Sequence, residues 1–239
     1  MQLMISVVSA AEAQEALEGG AEILDVKNPA EGSLGAQIPD VIREIKALAS
    51  GRVKVSAAIG DMPNLPGTAA LAALGAAACG ADYVKVGLHG PQTRDEAVAL
   101  LGAVEKATRG TLAVVIAGAY ADFQRAGTLN PKALPGIAAA AGAGGCLVDT
   151  AIKDGRTLFD FLSPEELRSL AEEAHAEGLL FAVAGALAEK DLAVVQQLGA
   201  DVVGLRTAAC WDNHRNGRLD AERVRRLLAA IRPPLQGER

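Results

Sequence analysis

Four short apolar runs in this 239-residue sequence finish on side chains that are costly to bury. Ile23-Leu24 leads into Asp25-Val26-Lys27, and Tyr83-Val84 leads into Lys85. Cys146-Leu147-Val148 leads into Asp149-Thr150, and Val202-Val203-Gly204-Leu205 into Arg206. If each run is a strand, its period of two sets Asp25 and Lys27 on one face and Val26 on the other, and turns Lys85 away from Val84 and Val86. A shared inward direction gathers Lys27, Lys85 and Arg206 with Asp25 and Asp149. A lysine close to other cations gives up its proton more readily, and its free amine attacks an aldehyde or ketone to form an iminium. The iminium is an electron sink, and a second lysine or a carboxylate can move protons at the adjacent carbon. Two lysines on neighbouring even-numbered strands therefore point to class I aldolase-type chemistry. Two other readings keep the same residues: an ion-pair network that only balances its own charges, and a phosphate site built on lysines. The first is expensive, since each buried ion costs several kcal/mol unless its geometry is excellent.

The loops that follow the later runs supply an anion site. Ala184-Gly185-Ala186-Leu187 follows the seventh run, and Arg206-Thr207-Ala208-Ala209 follows the eighth. Small residues there let backbone N–H groups approach an anion, so Gly185, Ala186, Arg206 and Thr207 are read as phosphate-binding. The segment Asn28–Ala36 offers either a second anion position at Gly32 and Ser33 or a lid. Tyr120, Asp122 and His89 are each read as a substrate contact or as local structure, and the Trp211–Arg218 loop as a cover or subunit contact. His175, in a Glu-rich helical stretch, reads as solvated surface. The histidines and the three scattered cysteines (Cys79, Cys146, Cys210) show no metal-ligand spacing, and Cys210 has no activating neighbour. The reading calls for no metal and no cofactor.

These side chains need a scaffold that aims eight strand ends at one place. The candidate strands are Leu3–Val8, Ile23–Lys27, Lys54–Ile59, Tyr83–Gly87, Leu112–Ala117, Cys146–Asp149, Leu180–Ala184 and Val202–Arg206. Helical patterns lie between them at Ala10–Glu18, Pro39–Ala49, Thr68–Cys79, Thr93–Thr108, Pro131–Ala141, Pro164–Glu177, Glu189–Leu198 and Asp220–Ile231. Ser163-Pro164-Glu165-Glu166 carries cap and first-turn chemistry, and Gly80, Gly178 and Gly199 follow helices where a left-handed residue is usual. Eight alternations in a chain of this size predict an α/β fold, a single (β/α)8 TIM barrel spanning residues 1–239. An open doubly wound sheet fits less well, because no Gly-rich dinucleotide fingerprint follows the first strand. In a barrel, chemistry belongs at the carboxyl ends of the strands, where the charged residues above fall.

Composition narrows the partners. Half the residues are hydrophobic but only 3% are aromatic, so Ala, Val, Leu and Ile must fill the core. With 23 basic against 29 acidic residues the net charge is −6, which argues against nucleic acid or an anionic membrane surface as partner. The first residues, MQLMISVVSA, lack a signal peptide's basic start, and no apolar stretch has bilayer-spanning length. A soluble cytoplasmic protein is expected. Ala-rich helices could supply contacts for a homo-oligomer, but no stripe is diagnostic.

Several motifs together resemble the barrel enzymes called (5-formylfuran-3-yl)methyl phosphate synthases. The likeness starts at Asp25-Val26-Lys27-Asn28-Pro29 and Glu31-Gly32-Ser33-Leu34-Gly35-Ala36. It runs through Ser56–Asp61, Gly80–Leu88 and Ala119–Asp122, and then through Asp149–Leu162, Ala184–Leu187 and Val203–Cys210. The resemblance covers nearly the whole chain. It implies condensation of two glyceraldehyde 3-phosphate molecules, with loss of phosphate and water, to a phosphorylated furan aldehyde used for methanofuran or methylofuran. It also implies that Lys27 is the Schiff-base lysine, that Lys85 is the general acid/base, that Asp25 and Asp149 are pocket residues, and that Lys153 completes the cationic surroundings. Ala30, Leu187, Thr207 and the Trp211–Arg215 loop depart from the family pattern. The rivals are another aldolase-like or phosphosugar-isomerising barrel, and a non-catalytic barrel that binds phosphometabolites.

Overall fold

The computed structural model describes residues 1–232. Its β-branched and Leu-rich runs form eight parallel strands: β1 (Gln2–Val7), β2 (Ile23–Val26), β3 (Lys54–Met62), β4 (Tyr83–Leu88), β5 (Val114–Tyr120), β6 (Gly145–Asp149), β7 (Leu180–Val183) and β8 (Val202–Leu205). They pair in chain order and close into a barrel, where β8 meets β1 with Leu3 opposite Val203 and Ile5 opposite Leu205. Helices α1 (Ala10–Glu18), α2 (Pro39–Ala49), α3 (Pro66–Ala78), α4 (Arg94–Thr108), α5 (Phe123–Ala126), α6 (Leu134–Ala141), α7 (Pro164–Ala176), α8 (Leu192–Gln197) and α9 (Ala221–Ile231) connect them. The chain is a (β/α)8 TIM barrel.

Strand pleating divides the apolar residues into two cores. Leu3, Ile5, Val7, Leu24, Val26, Val84, Val86 and Val203 face outward and pack against the helices. Met4, Ile23, Ala58, Ile116, Leu147, Ala182 and Val202 face inward and fill the barrel's lower interior. Above that layer the inward positions turn polar. The helix starts follow the cap chemistry: the Ser163 hydroxyl accepts from the Glu166 amide at 3.2 Å, and the Glu166 carboxylate accepts from the Ser163 amide at 3.0 Å. Thr93 and Glu96 form the same reciprocal pair ahead of α4.

Several boundaries differ from expectation. β5 starts at Val114, not Leu112, because the Thr111 hydroxyl accepts from the Ala113 amide at 3.2 Å and turns Leu112 out into solvent. The stretches expected as helices at Pro131–Ala141 and Glu189–Leu198 each open with a 3-10 turn, over Pro131–Ala133 and Glu189–Asp191. β3 runs past Ile59 to Met62 through a register shift: Ala58 pairs with Lys85, but Asp61 pairs with Gly87. Three steps along β3 thus match two along β4, an extra residue that makes a bulge. Gly60, at φ 127°, absorbs the bend. The bulge reverses the pleat, so Asp61 turns toward the site where a regular strand would present Gly60.

Candidate active site

At the carboxyl ends of the strands lies a cavity of about 370 Å³. Its walls include all of Asp25, Lys27, Lys85, Asp149, Lys153, Gly185, Ala186, Arg206 and Thr207. Five strand ends and loops that are distant in sequence thus put those residues around one space. Beneath Lys85 the interior narrows to an apolar void of about 20 Å³, closed by Met4, Ile23, Ile116, Leu147 and Val202.

The buried charges are sorted into pairs. Lys85 Nζ lies 2.5 Å from Asp25 Oδ1, and both side chains are almost wholly buried. Asp25 also accepts from the Ser6 hydroxyl at 3.0 Å. Burial pushes the Asp25 carboxyl up, but Lys85 and Lys27 beside it hold it below the usual carboxylate range. Lys153 reaches back from the β6–α7 loop to Asp149 Oδ1 at 2.6 Å and to the Thr150 hydroxyl at 3.0 Å. Asp149 also accepts from the Thr150 amide at 2.7 Å and, more weakly, from Ser33 at 3.4 Å. Burial opposes its charge too, yet Lys153 and Lys27 keep it ionised well below the ordinary range.

Lys27 is the exception. It is 5% exposed, and among the described residues no carboxylate forms an ion pair with its amine. Burial lowers its pKa from 10.5 to about 7; Asp149 and Asp25 resist that, while Lys85 and Lys153 add to it. A substantial share of this amine is therefore unprotonated near neutral pH, which is what nucleophilic attack on a carbonyl requires.

Arg206 lies where the strand pattern puts it, but its donors are largely spent. Its guanidinium donates to both Glu12 oxygens at 2.8 and 3.1 Å, to the Ser6 carbonyl at 2.9 Å and to the Arg215 carbonyl at 2.8 Å. Glu12 at the start of α1 gave no signal in the sequence, because only closure of β8 on β1 brings it there. Gly185 (φ 118°) and Ala186 (φ 51°) both adopt left-handed backbone. Among the described residues the Gly185, Ala186 and Thr207 amides donate to no protein acceptor, and all three residues line the cavity.

The second loop does not offer the anion position considered at Gly32 and Ser33. Its anion is internal: Asp61 accepts the Ser33 amide at 2.7 Å and the Leu34 amide at 3.1 Å, and also the Tyr120 hydroxyl. Tyr120 is thus part of a brace, and burial followed by Asp61 raises its pKa well above the ordinary value. His89 packs edge-on against that ring at 5.8 Å. Asp122 is a second brace, accepting from the Ala151 and Ile152 amides at 2.6 and 2.9 Å. His175 is not simply solvated, since its Nε2 lies 2.9 Å from Asp201. Cys210 is buried, and burial raises its thiol pKa, so it is not an activated nucleophile. The Trp211–Arg218 loop is closed at its base by the Cys210–Leu219 bridge and covers the cavity with Asn213, His214 and Arg215. Among the described residues no cluster of metal-ligating side chains occurs, and no helix is long and apolar enough to cross a membrane.

The Asp61 brace gives a testable expectation. Asp61→Ala leaves two amides and a buried phenol unpaired and should cost about 2–4 kcal/mol. Urea unfolding should show a lower midpoint with an unchanged slope; a wild-type midpoint would remove Asp61 from the architecture.

Comparison with known proteins bears on the fold and the family. Solved structures with the same fold include phosphoribosyl anthranilate isomerase from Thermus thermophilus (TM-score 0.63, 20% identity, 97% of this chain and 98% of that one). Another is 3-hexulose-6-phosphate synthase (TM-score 0.64, 21% identity, 97% of this chain and 100% of that one). At such identities they show the fold alone. The sequence relatives are much nearer. The (5-formylfuran-3-yl)methyl phosphate synthase of Methanopyrus kandleri is 49% identical over 96% of this chain and 98% of its own. That of Methanothermobacter thermautotrophicus is 48% identical over 95% and 97%. The family model described as 4-HFC-P synthase matches residues 3–228, which takes in every strand but for Gln2 of β1, and the nine cavity residues named first above. This chain belongs to the 4-HFC-P synthase family.

Proposed function

We propose that this enzyme joins two molecules of glyceraldehyde 3-phosphate into (5-formylfuran-3-yl)methyl phosphate through an imine on Lys27. By atom balance, one phosphate and two waters leave. The observation that carries this reading is the unpaired, buried amine of Lys27 among groups that could serve each later step. Its lone pair adds to the carbonyl of one triose phosphate, and loss of water gives the iminium. Lys85, held against Asp25, takes and returns protons at the neighbouring carbon, so that the iminium and enamine interconvert. The enamine loses phosphate and leaves an enol; once the second triose has isomerised from its aldehyde to its 2-ketone by proton transfer, the enol's terminal carbon attacks that ketone carbon, as the 3-substituted furan requires. Ring closure and dehydration complete the furan. Asp149 and Asp25, whose charges favour a cation at Lys27, stabilise the positive iminium nitrogen. The unpaired amides of Gly185, Ala186 and Thr207 suit the phosphate that is retained.

The test is incubation of the protein with glyceraldehyde 3-phosphate alone, following furan absorbance, product mass and released phosphate. Borohydride should trap the triose on one lysine. The trapping rate should rise with pH and pass half-maximum near 7, because only the neutral amine reacts. Absence of furan with a trapped lysine would keep the imine and discard this condensation; absence of both would discard the reading. The shift also carries a stability sign. Between about pH 7 and 10.5 the unfolded chain binds the proton that folded Lys27 has released, so this residue's contribution to stability rises with pH across that window.

A further inference from the structure

The cavity is lined by five basic side chains, and three of them are matched. Lys85 is paired with Asp25, Lys153 with Asp149, and Arg206 with Glu12. Among the described residues, Lys27 and Arg215 have no carboxylate partner. Their situations differ chemically. Lys27 escapes the cost of an unpaired buried charge by losing its proton, but a guanidinium does not deprotonate in a protein. Arg215 is half-buried and remains a cation, and burial works against its charge. It is also held in place. Its carbonyl accepts from Arg206 Nε at 2.8 Å, and Arg206 is itself clamped by Glu12 and the Ser6 carbonyl. The Arg215 side chain crosses toward the β2–α2 loop, where Nη2 stands 3.5 Å from the Gly32 carbonyl, at the outer limit of a hydrogen bond. Most of its donors are uncommitted.

We infer that Arg215 is the anion-binding arginine of this cavity and receives the phosphate that the reaction expels, while Arg206 is the strut that positions it. The assignment to the expelled phosphate rests on the condensation proposed above. In that step the nitrogen lone pair re-forms the C=N bond and the enamine C=C pair shifts to the next carbon. The C–O bond breaks with its electron pair on the phosphate, which then takes a proton from solvent. Negative charge grows on the departing group, so a fixed cation stabilises the transition state more than the ground state. The retained phosphate gains no charge, and neutral amides suffice for it.

The experiment measures inorganic phosphate binding by calorimetry in the full-length wild type and in Arg215→Ala, Arg215→Lys and Glu12→Gln. Arg215→Ala should bind phosphate roughly ten- to a hundredfold more weakly, the worth of charged hydrogen bonds. Arg215→Lys should recover only part, since an ammonium lacks the planar fork. Glu12→Gln separates the two arginines. If Arg206 is a strut, loosening it misplaces Arg215 and phosphate binding weakens. If Arg206 is the phosphate ligand, releasing it from Glu12 tightens binding, and the inference falls. Wild-type affinity in Arg215→Ala would also overturn it, even if the furan is made. Weakened phosphate binding in a protein that makes no furan would uphold the anion site while the condensation fails.

Discussion

Lys27→Ala should abolish borohydride trapping of glyceraldehyde 3-phosphate and lower furan formation by at least about a thousandfold, since no alternative covalent route remains. The fold should survive, because this amine holds nothing together. Among the described residues it makes no ion pair, and burying it costs free energy at any pH where it is protonated. Lys27→Met, which fills the same space with an apolar chain, should therefore melt higher than wild type near pH 6 while remaining inactive. Full-strength trapping in Lys27→Ala would move the imine to another lysine. A lower melting temperature for Lys27→Met would mean that the amine is paired in solution.

The second large effect concerns stability, at the Asp25–Lys85 pair. Removing either partner strands a charge in the barrel, as the other is almost wholly buried. Lys85→Met alone and Asp25→Leu alone should each destabilise by about 3–5 kcal/mol. The double variant should regain most of that loss, because two apolar side chains of similar volume replace the pair without leaving an ion behind. Turnover should not return with it. Denaturant unfolding of the four proteins gives the coupling energy directly, and simple additivity of the two losses would show that the pair is not coupled.

How much was legible in the sequence depended on whether a feature is local. The period of two was enough to turn Asp25, Lys27, Lys85, Asp149 and Arg206 inward, because each sits on a regular strand or one residue past its end. Glycine and cap residues marked most helix ends for the same reason. Asp61 was out of reach. Its direction is set by the bulge between Ala58 and Asp61, and alternation counted from Lys54 gives the opposite face. The partners of Arg206 were equally hidden. Glu12 is 194 residues away, and only barrel closure makes it the salt-bridge acceptor. Without that contact a strand-terminal arginine beside small-residue loops looks like a free phosphate ligand. Arg215 gave no periodic signal, lying in a polar loop whose path depends on the Cys210–Leu219 bridge.

The apolar floor beneath Lys85 has a kinetic consequence. With Met4, Ile23, Ile116, Leu147 and Val202 closing the barrel below, traffic to and from the reaction centre uses the mouth at the strand ends. A reaction that admits two substrates and sheds a leaving group through one doorway must schedule them. Phosphate expelled early has to exit past, or ahead of, the incoming second triose. Added phosphate should then compete with one substrate molecule and not with the other.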